Sequence, residues 1–176
     1  FFYGQNLTEQ LIKSVKRKSG SKVFLYKVNK PELYGVAKIN KKNKILDIKE
    51  KPNSFFSDYA ITGLYFFDNK AVKFAKKLKF SKRNELEIID LLKMYLKIKQ
   101  LDAEIIGRGI SWLDAGSIED YYNATNFVAA VESRQGFKIA CLEEISLNNK
   151  WIDKKDILNS IKFYGKCDYS SYLKKL

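Results

Sequence analysis

Apolar positions along this chain recur in two periods, and the alternation between them sketches the fold. Leu7, Leu11, Ile12 and Val15 stand at helical spacing and predict a first helix ending near Ser19-Gly20. Ahead of it, Asn6-Leu7-Thr8-Glu9 has the form of a capping box. Residues 22–28 are apolar, β-branched or aromatic and read as a strand. Residues 34–39 and 44–49 flank Asn40-Lys41-Lys42-Asn43 and predict a hairpin, and Tyr59–Phe67 reads as a strand too uniformly apolar to have a wet face. Helices are expected over 70–78 and 85–99. The second carries Leu86, Ile89, Leu92 and Leu96 on one side, broadened by Ile88, Leu91 and Tyr95, and Glu85 and Glu87 are read as first-turn charges that favour its N-terminus. A short strand over 102–107 follows. Ser117 then caps a long helix to about Arg134, and 148–176 reads as one or two terminal helices broken at Gly165. Strands alternating with helices predict the α/β class, with a mixed sheet flanked by helices. Two prolines and no Gly/Ser-rich linker argue against a second independent domain.

Composition narrows the chemistry. The 176 residues contain no histidine, which excludes a Ser-His-Asp or Cys-His relay and any His-ligated zinc or haem within them. Cys141 and Cys167 are too few for a Cys₄ cluster or a disulfide framework, and their free-thiol appearance points to the cytoplasm. No stretch approaches the ~18 apolar residues of a membrane span, and no signal peptide is recognisable. The net charge of +13 invites a nucleic-acid reading. However, Arg17, Arg83, Arg108 and Arg134 are the only arginines, and the lysines that make up the surplus are spread out, with small knots at 13–18, 38–51 and 73–82. Lysine is the poorer residue for bidentate phosphate and base contacts. A lysine-rich solvated surface, or a polyanionic small substrate, fits better than a nucleic acid.

Four segments are too irregular for packing alone. In Pro31-Glu32-Leu33-Tyr34-Gly35-Val36, a glycine at a strand mouth either lets a ligand approach backbone or simply makes a turn. Glu50-Lys51-Pro52 sets opposite charges side by side at a strand end, suited to a sugar hydroxyl and a phosphate, or to solvent alone. Arg83-Asn84-Glu85-Leu86-Glu87 puts an arginine before a helix N-terminus, where a phosphate oxygen is welcome. Over 107–117, three glycines surround Arg108, Trp112 and Asp114. Asp114, between an apolar residue and a glycine turn, is placed either to meet Mg²⁺ or to bond nearby backbone.

Together these segments resemble the bacterial glucose-1-phosphate thymidylyltransferases, within the sugar-1-phosphate nucleotidyltransferases. The resemblance runs nearly end to end. It rests on Phe2-Tyr3-Gly4, Tyr34-Gly35-Val36, Glu50-Lys51-Pro52, Tyr59-Ala60-Ile61-Thr62-Gly63-Leu64-Tyr65, Arg83 with Glu85-Leu86-Glu87-Ile88, Gly107-Arg108-Gly109 with Trp112-Leu113-Asp114, and Arg134-Gln135-Gly136. It implies a Rossmann-like nucleotidyltransferase fold. By the same resemblance, Tyr34, Gly35, Glu50 and the Ile61 backbone hold glucose, Lys51 and Arg83 hold its 1-phosphate and act in catalysis, and Asp114 is one Mg²⁺ ligand. Tyr3, Gly4, Glu9, Arg108 and Glu144 line a second, regulatory nucleotide site. Glucose 1-phosphate, dTTP and a dTDP-sugar are the implied small-molecule partners of a homotetramer, without nucleic acid or membrane.

Asn84 stands where the family commonly has glycine, Ala115 where it has threonine, and Thr8 where a histidine is frequent. The family's Gly-rich nucleotide loop, and an aspartate upstream of Phe-Tyr-Gly, have no counterpart among these residues. The expectation is therefore the sugar-phosphate-binding part of such an enzyme over 1–147, incomplete at its N-terminus, with a helical extension over 148–176. Alone, this part is not expected to complete the reaction. A relative using another nucleoside triphosphate shares the same sugar-side residues. A basic nucleic-acid module and a catalytically dead interaction piece are the readings from other classes.

Overall fold

The computed structural model describes residues 1–81 and 83–176. Lys82, in the third lysine knot and next to the Arg83 segment, lies outside the described residues. The order of elements is β1 (Phe2–Gly4), α1 (Leu7–Val15), β2 (Ser21–Lys27), a 3₁₀ turn (Pro31–Leu33), β3 (Gly35–Ile39), β4 (Ile45–Glu50), β5 (Tyr59–Phe67), α2 (Lys70–Ala75), α3 (Ile88–Lys97), β6 (Leu101–Ile105), β7 (Ile110–Trp112), α4 (Ile118–Gln135), α5 (Leu142–Asn148), α6 (Lys154–Tyr164) and α7 (Asp168–Leu173). Two compact units result, one of Phe2–Trp112 and one of Phe1 with Leu113–Leu176. No helix among the described residues is long and apolar enough to cross a membrane.

The first unit is α/β. Its five-stranded mixed sheet runs β4-β3-β5-β2-β6, with β2 and β6 parallel and the other neighbours antiparallel. Side chains alternate across a strand, so β2 feeds two cores. Val23 and Leu25 join Ala37, Ile48, Ile61, Leu92 and Tyr95 beneath α3, while Phe24 joins Ile106 and Ile110, backed by Leu7 and Leu11 of α1. A strand buried on both faces has no wet side to pattern, which is why 22–28 read as a plain apolar run.

β5 departs from uniformity. Its pairing with β2 steps from Ile61 opposite Leu25 to Tyr65 opposite Val23, leaving Thr62, Gly63 and Leu64 across from Phe24 alone. This bulge is held by Thr62, whose hydroxyl donates to the Phe24 carbonyl at 3.0 Å, and by Gly63, which takes φ 75°. Gly63 is exposed, so the strand expected to be dry throughout is broken to solvent at the bulge. The hairpin expected at Asn40-Lys41-Lys42-Asn43 forms, with Asn40 Oδ1 accepting from the Lys42 and Lys44 amides at 2.9 and 3.0 Å.

Two helix starts differ from expectation. Asn6 is left-handed, with φ 67°, and makes no side-chain cap, so the capping box at α1 does not form. α3 begins at Ile88, leaving Glu85 and Glu87 outside it; both carboxylates turn to Arg83 instead of the helix dipole. Its buried residues are Ile89, Leu91, Leu92 and Tyr95, and Leu86 is exposed.

The second unit is helical. Ser117 caps α4 as expected, its hydroxyl accepting from the Asp120 amide at 3.0 Å, and Gly136 ends the helix with φ 73°. The terminal helices α6 and α7 are separated at Gly165, and α5 precedes them without having been anticipated. Their core is Cys141, Ile157 and Leu173.

One carboxylate fastens the first unit. Asp68, after β5, accepts from the Gly20 amide and the Tyr95 hydroxyl at 2.7 Å each and from the Lys70 amide at 3.0 Å, joining β2, α2 and α3. Burial opposes its charge, but these donors outweigh burial and hold the carboxyl at about 2 against an ordinary 3.8. A carboxyl depressed on folding stabilises above its unfolded value, and that contribution fades as pH falls from 3.8 through about 2. Asp68→Asn is therefore expected to lower the urea midpoint at about pH 6 and to flatten its fall between about pH 5 and about pH 2.5 relative to the unchanged chain. Parallel acid profiles for the two proteins would contradict the assignment.

Candidate functional site

The β3–β4 hairpin brings two of the irregular segments together. Antiparallel register sets Gly35 opposite Glu50, and the Lys51 amide continues the ladder by donating to the Tyr34 carbonyl at 3.1 Å. Lys51 then turns the chain with φ 38°, in front of Pro52. A non-glycine residue in that region, before a proline that disfavours helical geometry, is strained. Val36 pairs with Ala60 of β5, so the next antiparallel step puts Ile61 beside Gly35. The Ile61 side chain is committed to the core under α3, leaving its backbone as the part able to serve a ligand.

Gly35 is a close approach. A Cβ there would lie 2.7 Å from Ile89 Cδ1 and 3.0 Å from Glu50 Oε2. The Glu50 carboxylate thus lies over the glycine next to α3, and Arg83 reaches it from the loop before that helix, Nη2 to Oε1 at 3.4 Å. Arg83 is gripped more closely by Glu87, at 3.0 Å from Nε and 2.8–2.9 Å from Nη2, and also meets Glu85 at 3.0 Å. Lys51 lies close enough to act electrostatically on both Glu50 and Glu87.

Electrostatics follow from this crowding. Burial pushes the Glu50 carboxyl up; Arg83 and Lys51 oppose that, while Glu87 and Glu85 add to it. Glu87 is held down by its hydrogen bonds from Arg83 and then from Ser81. Tyr65 is pushed up to about 12 by burial, with the Glu50 charge adding. An aromatic wall stands in the same unit, where the Trp112 ring lies 5.2 Å from Tyr34 and 5.9 Å from Tyr26.

Tyr34, Gly35, Glu50, Lys51, Ile61 and Arg83 therefore share one hairpin and its neighbours. The sequence reading missed Glu85 and Glu87 as partners of Arg83, although the alternating Arg-x-Glu-x-Glu spacing was their signal. It also gave Tyr65 no role. The regulatory candidates divide between the units. Tyr3 and Gly4 pair with Ser111 and Ile110 through β1 and β7, Arg108 precedes β7, and Glu9 is exposed in the first turn of α1. Glu144 belongs to the other unit, where it accepts from the Tyr172 hydroxyl at 2.6 Å.

Asp114 also belongs to the helical unit. Gly116 lacks the Cβ that would sit 3.0 Å from Asp114 Oδ2, so that carboxylate keeps a clear side. No group of three His, Cys, Asp or Glu side chains converges among the described residues. A lone, half-exposed carboxylate is no cage for a metal, but it suits Mg²⁺, which keeps waters and substrate phosphates around one or two carboxylates.

The chain is similar in sequence and in fold to known proteins. The sequence model of the nucleotidyl transferase family covers residues 1–131. The chain is 46% identical over 172 residues to the glucose-1-phosphate thymidylyltransferase of Neisseria gonorrhoeae, covering 98% of this chain and 60% of that protein. It is 37% identical over 175 residues to the Mycobacterium tuberculosis enzyme of the same name, covering 99% and 60%. A Bacillus anthracis protein provisionally assigned as a glucose-1-phosphate thymidylyltransferase, solved with sucrose, superposes with a TM-score of 0.63 at 36% identity, over 72% of this chain and 50% of that one. The chain thus spans about 60% of the length of the curated relatives it matches.

The glycine at the site makes a direct test. Valine suits a strand by propensity, so any loss in Gly35→Val reports the clash with Ile89 and Glu50. A loss of about 1–3 kcal/mol in urea denaturation is expected. Gly107→Ala, whose Cβ would meet nothing within 4 Å, is expected to stay within about 0.5 kcal/mol of the unchanged chain.

Proposed function

The chain belongs to the nucleotidyl transferase family, and from that membership we propose that it is the sugar-phosphate side of a cytoplasmic, homotetrameric glucose-1-phosphate thymidylyltransferase. Its substrates are glucose 1-phosphate and dTTP, and its products dTDP-glucose and pyrophosphate. The observation that carries this reading is the meeting of Gly35, Glu50, Lys51 and Arg83 at one end of the β3–β4 hairpin, with a glycine, a carboxylate packed over it and two cations together.

Each group has a part in the reading. Tyr34, Gly35, Glu50 and the Ile61 backbone hold the glucose, the carboxylate accepting from ring hydroxyls. Lys51 and Arg83 take the 1-phosphate, one as a point charge and one as a planar fork. A phosphate oxygen of glucose 1-phosphate attacks the α-phosphorus of dTTP in line and pyrophosphate leaves. An ionised phosphate needs no base, so a chain without histidine suits the step. Rate comes from holding the phosphate at the correct angle and from offsetting its charge. Bound Mg²⁺, with Asp114 as one ligand, supplies further neutralisation of phosphate charge. Tyr3, Gly4, Glu9 and Arg108, all of the first unit, are proposed to receive a regulatory dTDP-sugar. All these residues fall within 1–147, and 148–176 is an extension.

Two substitutions test this reading. Lys51→Ala is expected to weaken glucose 1-phosphate binding, and turnover of the whole enzyme, at least about tenfold, equivalent to about 1.4 kcal/mol. Calorimetry and pyrophosphate release measure the two effects, and unchanged values would sink the assignment. Asp114→Asn is expected to move the Mg²⁺ titration of turnover to higher concentration; full activity with a normal titration would remove Asp114 from the metal.

A further inference from the structure

Three carboxylates meet one guanidinium in this site, and they are not equivalent. Glu87 is 11% exposed in its side chain, while Glu85 is 61% exposed. Glu87 engages Nε and Nη2 from one side, with Oε1 at 3.0 and 2.9 Å and Oε2 at 2.8 Å from Nη2. Its Oε1 also accepts from the Ser81 hydroxyl at 2.8 Å, so Glu87 is itself held. The loop that presents the arginine closes on the same serine. The Arg83 amide donates to Ser81 Oγ at 3.1 Å, the Asn84 amide to the Ser81 carbonyl at 2.9 Å, and the Ser81 amide to the Glu85 carbonyl at 2.9 Å. Asn84 completes the turn in the left-handed region, with φ 58°.

Among the described residues the Glu85 carboxylate makes a single ion pair, with Nη2 at 3.0 Å. An exposed ion pair of that kind contributes little and is screened by salt. Glu50 stands further off, at 3.4 Å. Nη1 makes none of these contacts, so the guanidinium keeps one edge for an incoming anion. An arginine held on its Nε side loses less freedom when a phosphate docks on the other, because its fork is already set.

We propose that Glu87, anchored by Ser81, is the positioning residue that holds Arg83 ready for the phosphate of the sugar 1-phosphate, and that Glu85 is the exposed counter-ion this phosphate displaces. The proposal rests on the sugar-phosphate reading above. It assigns opposite effects to two glutamates that touch the same nitrogen. Removing the Glu85 charge takes away a competitor and a source of repulsion, so sugar-phosphate affinity rises. Removing the Glu87 charge frees the arginine to leave its pose, so affinity falls. Neither change removes a group assigned to a neutral sugar, which has no phosphate for Arg83 to hold.

The test is calorimetric titration of the 176-residue chain with glucose 1-phosphate, and NMR titration with methyl α-glucoside. It compares the unchanged chain with E85Q, E87Q, Arg83→Ala, and E87Q combined with Arg83→Ala. E85Q is expected to tighten glucose 1-phosphate binding about threefold at low salt, with the gain shrinking as salt rises. E87Q is expected to weaken it about tenfold, with methyl α-glucoside affinity unchanged, and to cost nothing further once Arg83 is alanine. Equal losses for both ligands in E87Q would overturn the positioning role in favour of a structural one, as would an additive loss in the double variant. A weakening in E85Q like that in E87Q would overturn the distinction between the two glutamates. Glucose 1-phosphate binding that E87Q leaves unchanged overturns the positioning role alone, whereas no binding by the unchanged chain overturns the sugar-phosphate reading itself.

Discussion

The antiparallel ladder between β2 and β5 is the constraint on which the first unit depends. β2 is buried on both faces, so it can be satisfied only by neighbours on both edges, and β5 and β6 provide them. β5 in turn seats the β3–β4 hairpin through Val36 and Ala60, and that hairpin carries Gly35, Glu50 and Lys51. The bulge at Thr62–Gly63 lies just beyond the site on the same strand. It lets β5 keep its pairing with β2 at both ends, from Lys27 opposite Tyr59 to Ser21 opposite Phe67. A slip of one residue in this ladder would turn Ile61 out of the core and carry the hairpin away from α3. The chemistry at the strand end is thus a consequence of register.

Much of this architecture was legible because it follows from local rules. The Asn40–Asn43 turn, the Ser117 cap and the boundaries of β5 each depend on a residue acting on its own neighbourhood. The readings that failed depend on distant partners. Asn6 and Glu9 have the composition of a capping box, yet Asn6 sits in a left-handed turn between β1 and α1 and cannot present its side chain to the helix. β1 and β7 are three residues each, too short for an alternation to register, and exist because they pair with one another. Glu85 and Glu87 looked like helix charges because acidic residues favour a first turn. A guanidinium close by is a stronger partner than a helix dipole, and the helix starts after them.

The same distinction applies to the site. The residues proposed to meet a ligand stand out in the sequence as a glycine and charges in irregular segments: Gly35, Glu50, Lys51 and Arg83. The groups that hold them, Ser81 and Glu87, do not, since a serine and a glutamate near a helix start have an ordinary local explanation. Tyr65 was hidden for another reason. It lies in an apolar strand, and only the folded chain brings its hydroxyl within reach of the Glu50 charge. Asn84 shows the converse. It departs from the expected glycine, but it occupies the left-handed region that asparagine tolerates better than other side chains, so the turn survives the exchange.

The overall charge of +13 is not reflected at this hairpin. Lys51 and Arg83 face Glu50, Glu85 and Glu87, and with all five ionised the cluster is net negative before any ligand arrives. On the proposed reading, the local charge of the cluster does not draw a phosphate in; particular donors receive it while their counter-ions yield or stay. That argues for recognition by geometry, with the general lysine excess contributing a long-range attraction that salt suppresses. Burial pushes the Glu50 carboxyl up, against the pull of Arg83 and Lys51 beside it. A site proposed to accept an anion among carboxylates is selective by construction. On the proposed reading, an anion without a sugar ring, or a sugar without a phosphate, meets only part of the donors and acceptors that Gly35, Glu50, Lys51 and Arg83 bring together.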